Sequence, residues 1–330
     1  MIARYAVFFF LFVTVVAVPL VIALLSRLLL PRRFRWWVAG MMTCVVWGLV
    51  WYGSHDGFEQ LQVRHVEYAS ADLPAAFDGY RIVQFSDAHV GTYTGGRQWL
   101  LARAVDSINA QHPDAIVFTG DLQNVWPDEL TPHIAMLSRL HARDGVFSVL
   151  GNHDYAVYQD CDEAEKQRHC RETIEAERRM GWTLLLNEHR IVRRDTDSIV
   201  IAGMENLGKT KRMPRRGDVC QTLSGLVPQL SQGNNKEGGE PFIVMLQHDP
   251  TAWRLHILPE CHAQLTLSGH THGGQFSVFG WSPASLAYDE WKGEHRQGNR
   301  SLFVSTGLGA LIPFRLGMPG EIVVITLRKK

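Results

Sequence analysis

The first 53 residues contain no aspartate or glutamate, and five arginines are their only formal charges. The rest of the chain therefore carries 28 basic residues (33 less those five) against 33 acidic ones. So mildly acidic a remainder lacks the basic field of a nucleic-acid-binding domain, and no nucleic-acid partner is expected. Cysteine is scarce, five in 330 residues. None belongs to the polar motifs described below, which excludes thiolate-held structural zinc there. No internal repeat is present, which excludes a solenoid. Low complexity is confined to a short stretch around Gly233 to Gly239.

Charge is also missing from two long apolar runs. Residues 6–25 form an uncharged stretch of 20 residues, long enough to cross a bilayer core as a helix. Residues 36–52 form a second of 17, with Trp36, Trp37, Trp51 and Tyr52 at its ends, where amphipathic rings favour the membrane interface. A cleaved signal peptide fits less well, because the first run is long and another follows it. Arg27, Arg32, Arg33 and Arg35 crowd the connector, whereas Asp56, Glu59, Arg64 and Glu67 follow the second run. The positive-inside rule places that connector in the cytoplasm and the bulk of the chain on the other side. Cys44 lies within the second run. That leaves Cys161, Cys170, Cys220 and Cys261, an even number that permits pairing in a non-cytoplasmic compartment. On one unbroken helix Cys161 and Cys170 would sit about 13 Å apart, too far to bridge. Free or buried thiols are the alternative.

From about residue 80, short apolar runs alternate with amphipathic ones. Residues 82–85, 115–118 and 146–150 read as buried strands, with helices expected over 97–111 and 129–143. That succession is the signature of an α/β sheet covered by helices. Further strands are expected over 199–202, 242–246, 264–267, 302–305 and 322–327, with less helix between them, which suggests a second sheet packed on the first. Residues 160–179 read as a solvated helix, and 204–240 as a loop-rich insertion around one helix.

A polar motif follows each of five strands, at the carboxyl ends where α/β sheets collect ligands. Asp87 and His89 are two apart and share a face of an extended segment. Asp121 follows Gly120, and its carboxylate can bridge two cations. In Gly151-Asn152-His153-Asp154 the amide is a neutral oxygen ligand, and the histidine offers an acid or base. His248 follows the fourth strand. His270 and His272 flank Thr271 within a glycine-rich ending. Taken singly, most of these could be turns or caps. Together they supply imidazole, carboxylate and amide donors, a set suited to Mn, Fe or Zn.

The ordered series Asp-x-His, Gly-Asp, Gly-Asn-His-Asp, His, Gly-His-x-His resembles the calcineurin-like metallophosphoesterase superfamily. The ending Gly269-His270-Thr271-His272-Gly273-Gly274-Gln275 is similar to its bacterial YkuE/YaeI-like phosphodiesterase branch. The resemblance covers residues 60–329. It implies a four-layer α/β/β/α sandwich, here preceded by N-terminal transmembrane helices. The expected organisation is a membrane anchor over 1–53, a linker and first strand over 54–79, and the phosphoesterase domain over 80–330.

The resemblance also implies a dinuclear centre of two divalent ions, manganese favoured. One ion would take Asp87, His89, Asp121 and His272, and the other Asp121, Asn152, His248 and His270. Asp121 would bridge them. A metal-bridged hydroxide would attack phosphorus, with His153 as general acid. Asp154 is a candidate to orient His153, and Arg315 to contact phosphate, each against the alternative of a solvated side chain. Trp126, Tyr155 and Tyr158 are expected to be packing residues near the motif loops. The anchor suggests a phosphorylated small-molecule or lipid substrate, with the chain in a bacterial cytoplasmic (inner) membrane and its catalytic domain outside the cytoplasm. A phosphoprotein phosphatase and a non-catalytic scaffold remain the competing expectations. An alkaline phosphatase reporter fused after residue 60 is expected to be active; an inactive fusion, with β-galactosidase active at the same point, overturns this orientation.

Overall fold

The structure is a computed structural model, which describes residues 8–210, 213–226 and 241–330. The stretch around Gly233 to Gly239 lies outside the described residues, as does the start of the first apolar run. Helix α1 spans Phe8–Leu29 and α2 spans Arg35–Ser54, continuing through a short turn to Glu59. Both are long and apolar enough to cross a membrane. Side chains such as Phe8, Leu20, Leu28 and Trp37 are exposed, as lipid-facing residues would be. A tight turn joins the helices, Phe34 N–H donating to Pro31 O at 3.0 Å, and makes them a hairpin.

Beyond the hairpin two six-stranded sheets stack. The first comprises β1 (Leu61–Ser70), β2 (Arg81–Phe85), β3 (Ala115–Phe118), β4 (Val146–Ser148), β5 (Thr183–Leu184) and β12 (Gly320–Lys329). Their order is β1-β12-β2-β3-β4-β5. The second comprises β6 (Glu188–Arg194), β7 (Asp197–Gly203), β8 (Phe242–Leu246), β9 (Leu265–Ser268), β10 (Gly293–Gln297) and β11 (Arg300–Val304), in the order β10-β11-β9-β8-β7-β6. Strand residues alternate faces with period two. Ile82 and Val117 turn inward to meet Ile199, Ile201, Val244 and Leu267 between the sheets. Val83, Ile116 and Phe118 turn outward under helix α3 (Gln98–Asn109). Val200 and Ala202 turn outward on the second sheet, under Trp253 and Ile257. Helix α4 (Glu163–Arg179) is capped by Asp162, whose carboxylate accepts from Glu165 N–H. Acidic residues in its first turn and arginines in its last complement the helix dipole. The result is the expected four-layer sandwich.

Two expectations need correction. The helix read over 129–143 is instead a 3-10 turn, Pro127–His133, followed by one α turn, Ile134–Leu137. Pro132 has no N–H to give and interrupts the α pattern. The strand read over 322–327 does not join the second sheet. As β12 it returns to the first, parallel to β1 and antiparallel to β2. The cysteine alternatives left open above resolve to free thiols, with Cys161 ahead of α4 and Cys170 buried within it. The edge strands β6 and β10 were not anticipated, because their exposed faces carry Glu, His and Arg rather than an apolar run.

The hairpin docks on the sandwich without a flexible linker. The Arg315 amide donates to Gly53 O at 2.8 Å, and Arg97 Nη2 donates to Ser54 O at 3.1 Å. The Phe314 ring meets that of Phe10, centroids 4.9 Å apart, so both helix ends converge there. A Cβ on Gly53 would stand 2.3 Å from Phe314, so the close approach needs glycine. In the core, Leu101 of α3 is 1% exposed against the first sheet. Leu101→Ala is expected to cost about 2–5 kcal/mol of stability, read from urea unfolding; a change below about 1 kcal/mol would contradict this packing.

Candidate metal centre

The carboxyl ends of β2, β3, β4, β8 and β9 lie at one edge of the sandwich, and each leads directly into candidate ligands. Five of these residues have positive φ: Asp87 (50°), His89 (42°), Asp121 (61°), His270 (72°) and His272 (52°). Left-handed backbone costs an ordinary residue on the order of 1–2 kcal/mol, and it clusters where surrounding structure enforces it. Here cross-strand hydrogen bonds do so. Asp87 N–H donates to Gly120 O at 2.8 Å, Gly309 N–H to Asp87 O at 2.8 Å, and Gly269 N–H to His248 O at 3.1 Å. Such backbone turns the side chains toward one point.

At that point the donors form overlapping groups. His89 Nε2 lies 3.1 Å from His272 Nε2 and 3.8 Å from Asp121 Oδ2, while His272 Nε2 lies 3.4 Å from Asp87 Oδ1. On the other side, His248 Nε2 lies 3.2 Å from Asp121 Oδ2, 3.0 Å from Asn152 Oδ1 and 3.1 Å from His270 Nδ1. Asp87, His89 and His272 could hold one ion, and Asp121, His248 and His270 another; all are buried or nearly so. His153 Nε2 stands 4.0 Å from Asp121 Oδ2, with its side chain 10% exposed.

The donor chemistry fits cations. His89 Nδ1 donates to Gln123 O at 3.1 Å and His248 Nδ1 to Thr119 O at 2.7 Å. A carbonyl can only accept, so in each neutral ring the proton sits on Nδ1 and a lone pair on Nε2. Those lone pairs face other nitrogens and oxygens across about 3 Å. Positive charge placed among them relieves that opposition. Without an ion, a proton on His248 supplies part of that positive charge. Burial pushes Asp87 up to about 6, with Asp121 adding to the effect against the opposing pull of His248. Burial also opposes charge on Asp121, yet His248 and His153 hold it well below the usual carboxylate range. Burial disfavours a proton on His248, but Asp121 and then Asp87 outweigh it and raise that group to about 10. Burial holds His272 well below its ordinary value.

Two expected roles are overturned. Asp154 does not orient the His153 ring. Its carboxylate accepts from the amides of Asp121 and Gly151, each at 2.8 Å, and Leu122 at 2.9 Å, bracing the loop that carries Asp121. What holds the His153 ring is the Asn124 carbonyl, at Nδ1. Arg315 does not reach out to phosphate. It is fully buried, and its guanidinium donates to the carbonyls of Thr306, Gly307, Gly309, Met318 and Pro319. Tyr155 is buried and donates to Glu205 at 3.0 Å, a packing residue as expected. Trp126 stays on the rim, 41% exposed. Tyr158 lies within the site: its hydroxyl accepts from Asn152 Nδ2 at 3.0 Å, and its ring is 4.4 Å from that of His153. Sequence reasoning missed Tyr288, whose hydroxyl bonds His270 Nε2 at 2.9 Å and directs Nδ1 inward. No local motif marks it.

A family model described as calcineurin-like phosphoesterase matches residues 80–274. The Bacillus subtilis protein named uncharacterized metallophosphoesterase YkuE is 30% identical over 315 residues, covering 89% of this chain and 97% of that protein. A Danio rerio transmembrane protein with metallophosphoesterase domain is 29% identical over 303 residues, covering 90% of this chain and 63% of that protein. A Chlamydia trachomatis protein named UDP-2,3-diacylglucosamine pyrophosphatase LpxG is 25% identical over 331 residues, covering 84% of this chain and 92% of that protein.

Removing the outer partner of a metal-binding histidine typically weakens metal affinity about 10–100-fold. Tyr288→Phe is therefore expected to weaken binding of one of two Mn ions by about tenfold in equilibrium dialysis, while the fold is unchanged by circular dichroism. Wild-type affinity at both sites would remove Tyr288 from the centre.

Proposed function

The chain belongs to the calcineurin-like phosphoesterase family and is a metal-dependent phosphoesterase; from that premise we propose that it hydrolyses phosphodiester or pyrophosphate bonds of a lipid or lipid-linked nucleotide at a membrane surface. The observation that carries the reading is the position of Asp121. One carboxylate oxygen sits among His89, His153 and His248, at 3.8, 4.0 and 3.2 Å. In this reading Asp121 would contribute to holding both of two ions. Asp87, His89 and His272 would complete one set, and Asn152, His248 and His270 the other.

Two bound divalent cations, manganese favoured, would supply Lewis-acid polarisation of the phosphoryl group and a water acidic enough to react near neutrality. The chain's own residues do the remainder. Asn124 O holds the His153 Nδ1 proton, which leaves Nε2 facing the centre, 4.0 Å from Asp121 Oδ2. In the imidazolium form, Nε2–H is placed to donate to the departing oxygen, as a general acid. Tyr158 and Tyr288 hold two donors of the second set, Asn152 and His270, in place. Burial of Asp87, His89, Asp121, Asn152 and His248 limits the screening of these charges by bulk water.

The lipid part of the proposal is supported by the docked α1–α2 hairpin and by the name of the Chlamydia relative. With the arginine-rich connector in the cytoplasm, the hairpin would hold the sandwich on the outer side of a bacterial inner membrane. The test is hydrolysis of bis(p-nitrophenyl) phosphate by the full chain in detergent with Mn. Asp121→Ala should abolish both turnover and tight metal binding. His153→Ala should lower kcat on the order of a hundredfold to ten-thousandfold with metal content retained. Unchanged turnover in either variant sinks the mechanism.

A further inference from the structure

Just past the glycine-rich ending, residues 276–288 carry no charged side chain, although they belong to neither sheet. Val278 and Trp281 exchange two backbone hydrogen bonds, each 3.0 Å, and close a two-residue turn with Phe279 and Gly280 at its tip. Both tip residues have positive φ, 51° and 81°. Such a turn favours Asn, Asp or Gly first, and a bulky residue there is a conformational outlier. Phe279 is nevertheless fully exposed, and Trp281, Val278 and Leu286 are exposed around it. In water the arrangement is unfavourable twice, once for the backbone and once for the ring. An apolar surrounding removes the second objection.

The attachments of the turn say which surrounding that is. Ser277 N–H donates to Leu316 O at 2.8 Å, and Phe276 pairs with Leu316 in an isolated bridge. The residue before Leu316 is Arg315, whose amide is bonded to Gly53 at the end of α2, and Phe314 before it meets Phe10 of α1. The turn thus stands beside the point where both apolar helices end. At its other side Ser282 Oγ donates to Gly273 O at 2.7 Å, next to His272. Phenylalanine and tryptophan without neighbouring charge suit the bilayer interface.

We propose that the Val278–Trp281 turn is a third membrane contact, which inserts Phe279 and Trp281 into the leaflet where the α1–α2 hairpin emerges and seats the rim of the metal centre against the lipid headgroups. The inference rests on the membrane-anchored reading and deepens it: the substrate phosphate is presented by the bilayer, not from solution.

The test uses the full chain in nanodiscs of phosphatidylethanolamine and phosphatidylglycerol, with p-benzoylphenylalanine placed at position 279 and photolysed. Position 24, exposed on α1, serves as positive control. Position 196 is the negative control: it lies in the β6–β7 turn, at the start of a strand parallel to β8, hence at the opposite end of the sheet from the metal centre. Lipid adducts are expected at 279 and 24 and not at 196. If position 279 yields no more lipid adduct than 196 while 24 labels, or captures protein instead, the proposal fails. No turnover is needed for this readout, so it is independent of whether the phosphoesterase reading survives. Phe279→Asp should then lower hydrolysis of a diester carried on vesicle lipid about tenfold or more, leaving water-soluble bis(p-nitrophenyl) phosphate at the wild-type rate. Parallel behaviour of the two substrates overturns it.

Discussion

Asp121 accepts the His153 amide through one carboxylate oxygen, at 2.8 Å, and turns the other toward three imidazoles. That placement leaves no room on the side facing β4. A Cβ on Gly151 would stand 2.1 Å from the first oxygen, and one on Gly120 would stand 2.5 Å from the Gly151 amide. The two glycines, each next to a candidate ligand, therefore face each other across adjacent strands. Their motifs are parts of one contact. Asp154 completes it by gathering the amides on both sides of the gap. Asp87 and His89 come from β2 of the same sheet, while His248, His270 and His272 arrive from β8 and β9 of the second, so the relative position of the two sheets is fixed by the same few ångströms that fix the carboxylate.

The membrane hairpin is joined to this arrangement through Arg315. Its guanidinium binds the carbonyls of Thr306, Gly307 and Gly309, and Gly307 lies directly beneath Asp87 and His272. Its main-chain amide binds Gly53 at the end of α2. Gln275, three residues after His272, donates to the carbonyls of Ile312 and Phe314 in the same segment. A buried guanidinium whose two Nη atoms are bonded to carbonyls keeps its charge, although burial pulls it down to about 10. Breaking that set would leave several acceptors unpaired in the interior, a cost that typically reaches about 1–3 kcal/mol for each group.

Strand identity was legible where both faces are buried, as in residues 82–85 and 242–246, because an apolar run survives on either side. It failed at β6 and β10, which alternate with charged residues at the sheet edges. The return of β12 to the first sheet is a choice between two apolar surfaces, and composition does not distinguish them. The donors were legible because they sit at strand ends in short spacings. Their supports were not: the carbonyls of Thr119, Gln123 and Asn124 that fix three histidine rings belong to backbone, which has no sequence signature. Arg315 looked like a free cation because nothing local reveals which carbonyls will enclose it.

Only the turn to Glu59 and Gln60 separate α2 from β1, and Gln60 O already accepts the Gly320 amide at 3.0 Å. A catalytic domain on a long tether would sweep a hemisphere, and its reach would be a distribution. With α1 and α2 in a bilayer, this one would have a fixed height and heading over the lipid plane. Encounters would then be set by lateral diffusion in two dimensions, and a bond would be cut only if its phosphorus lies at that one elevation.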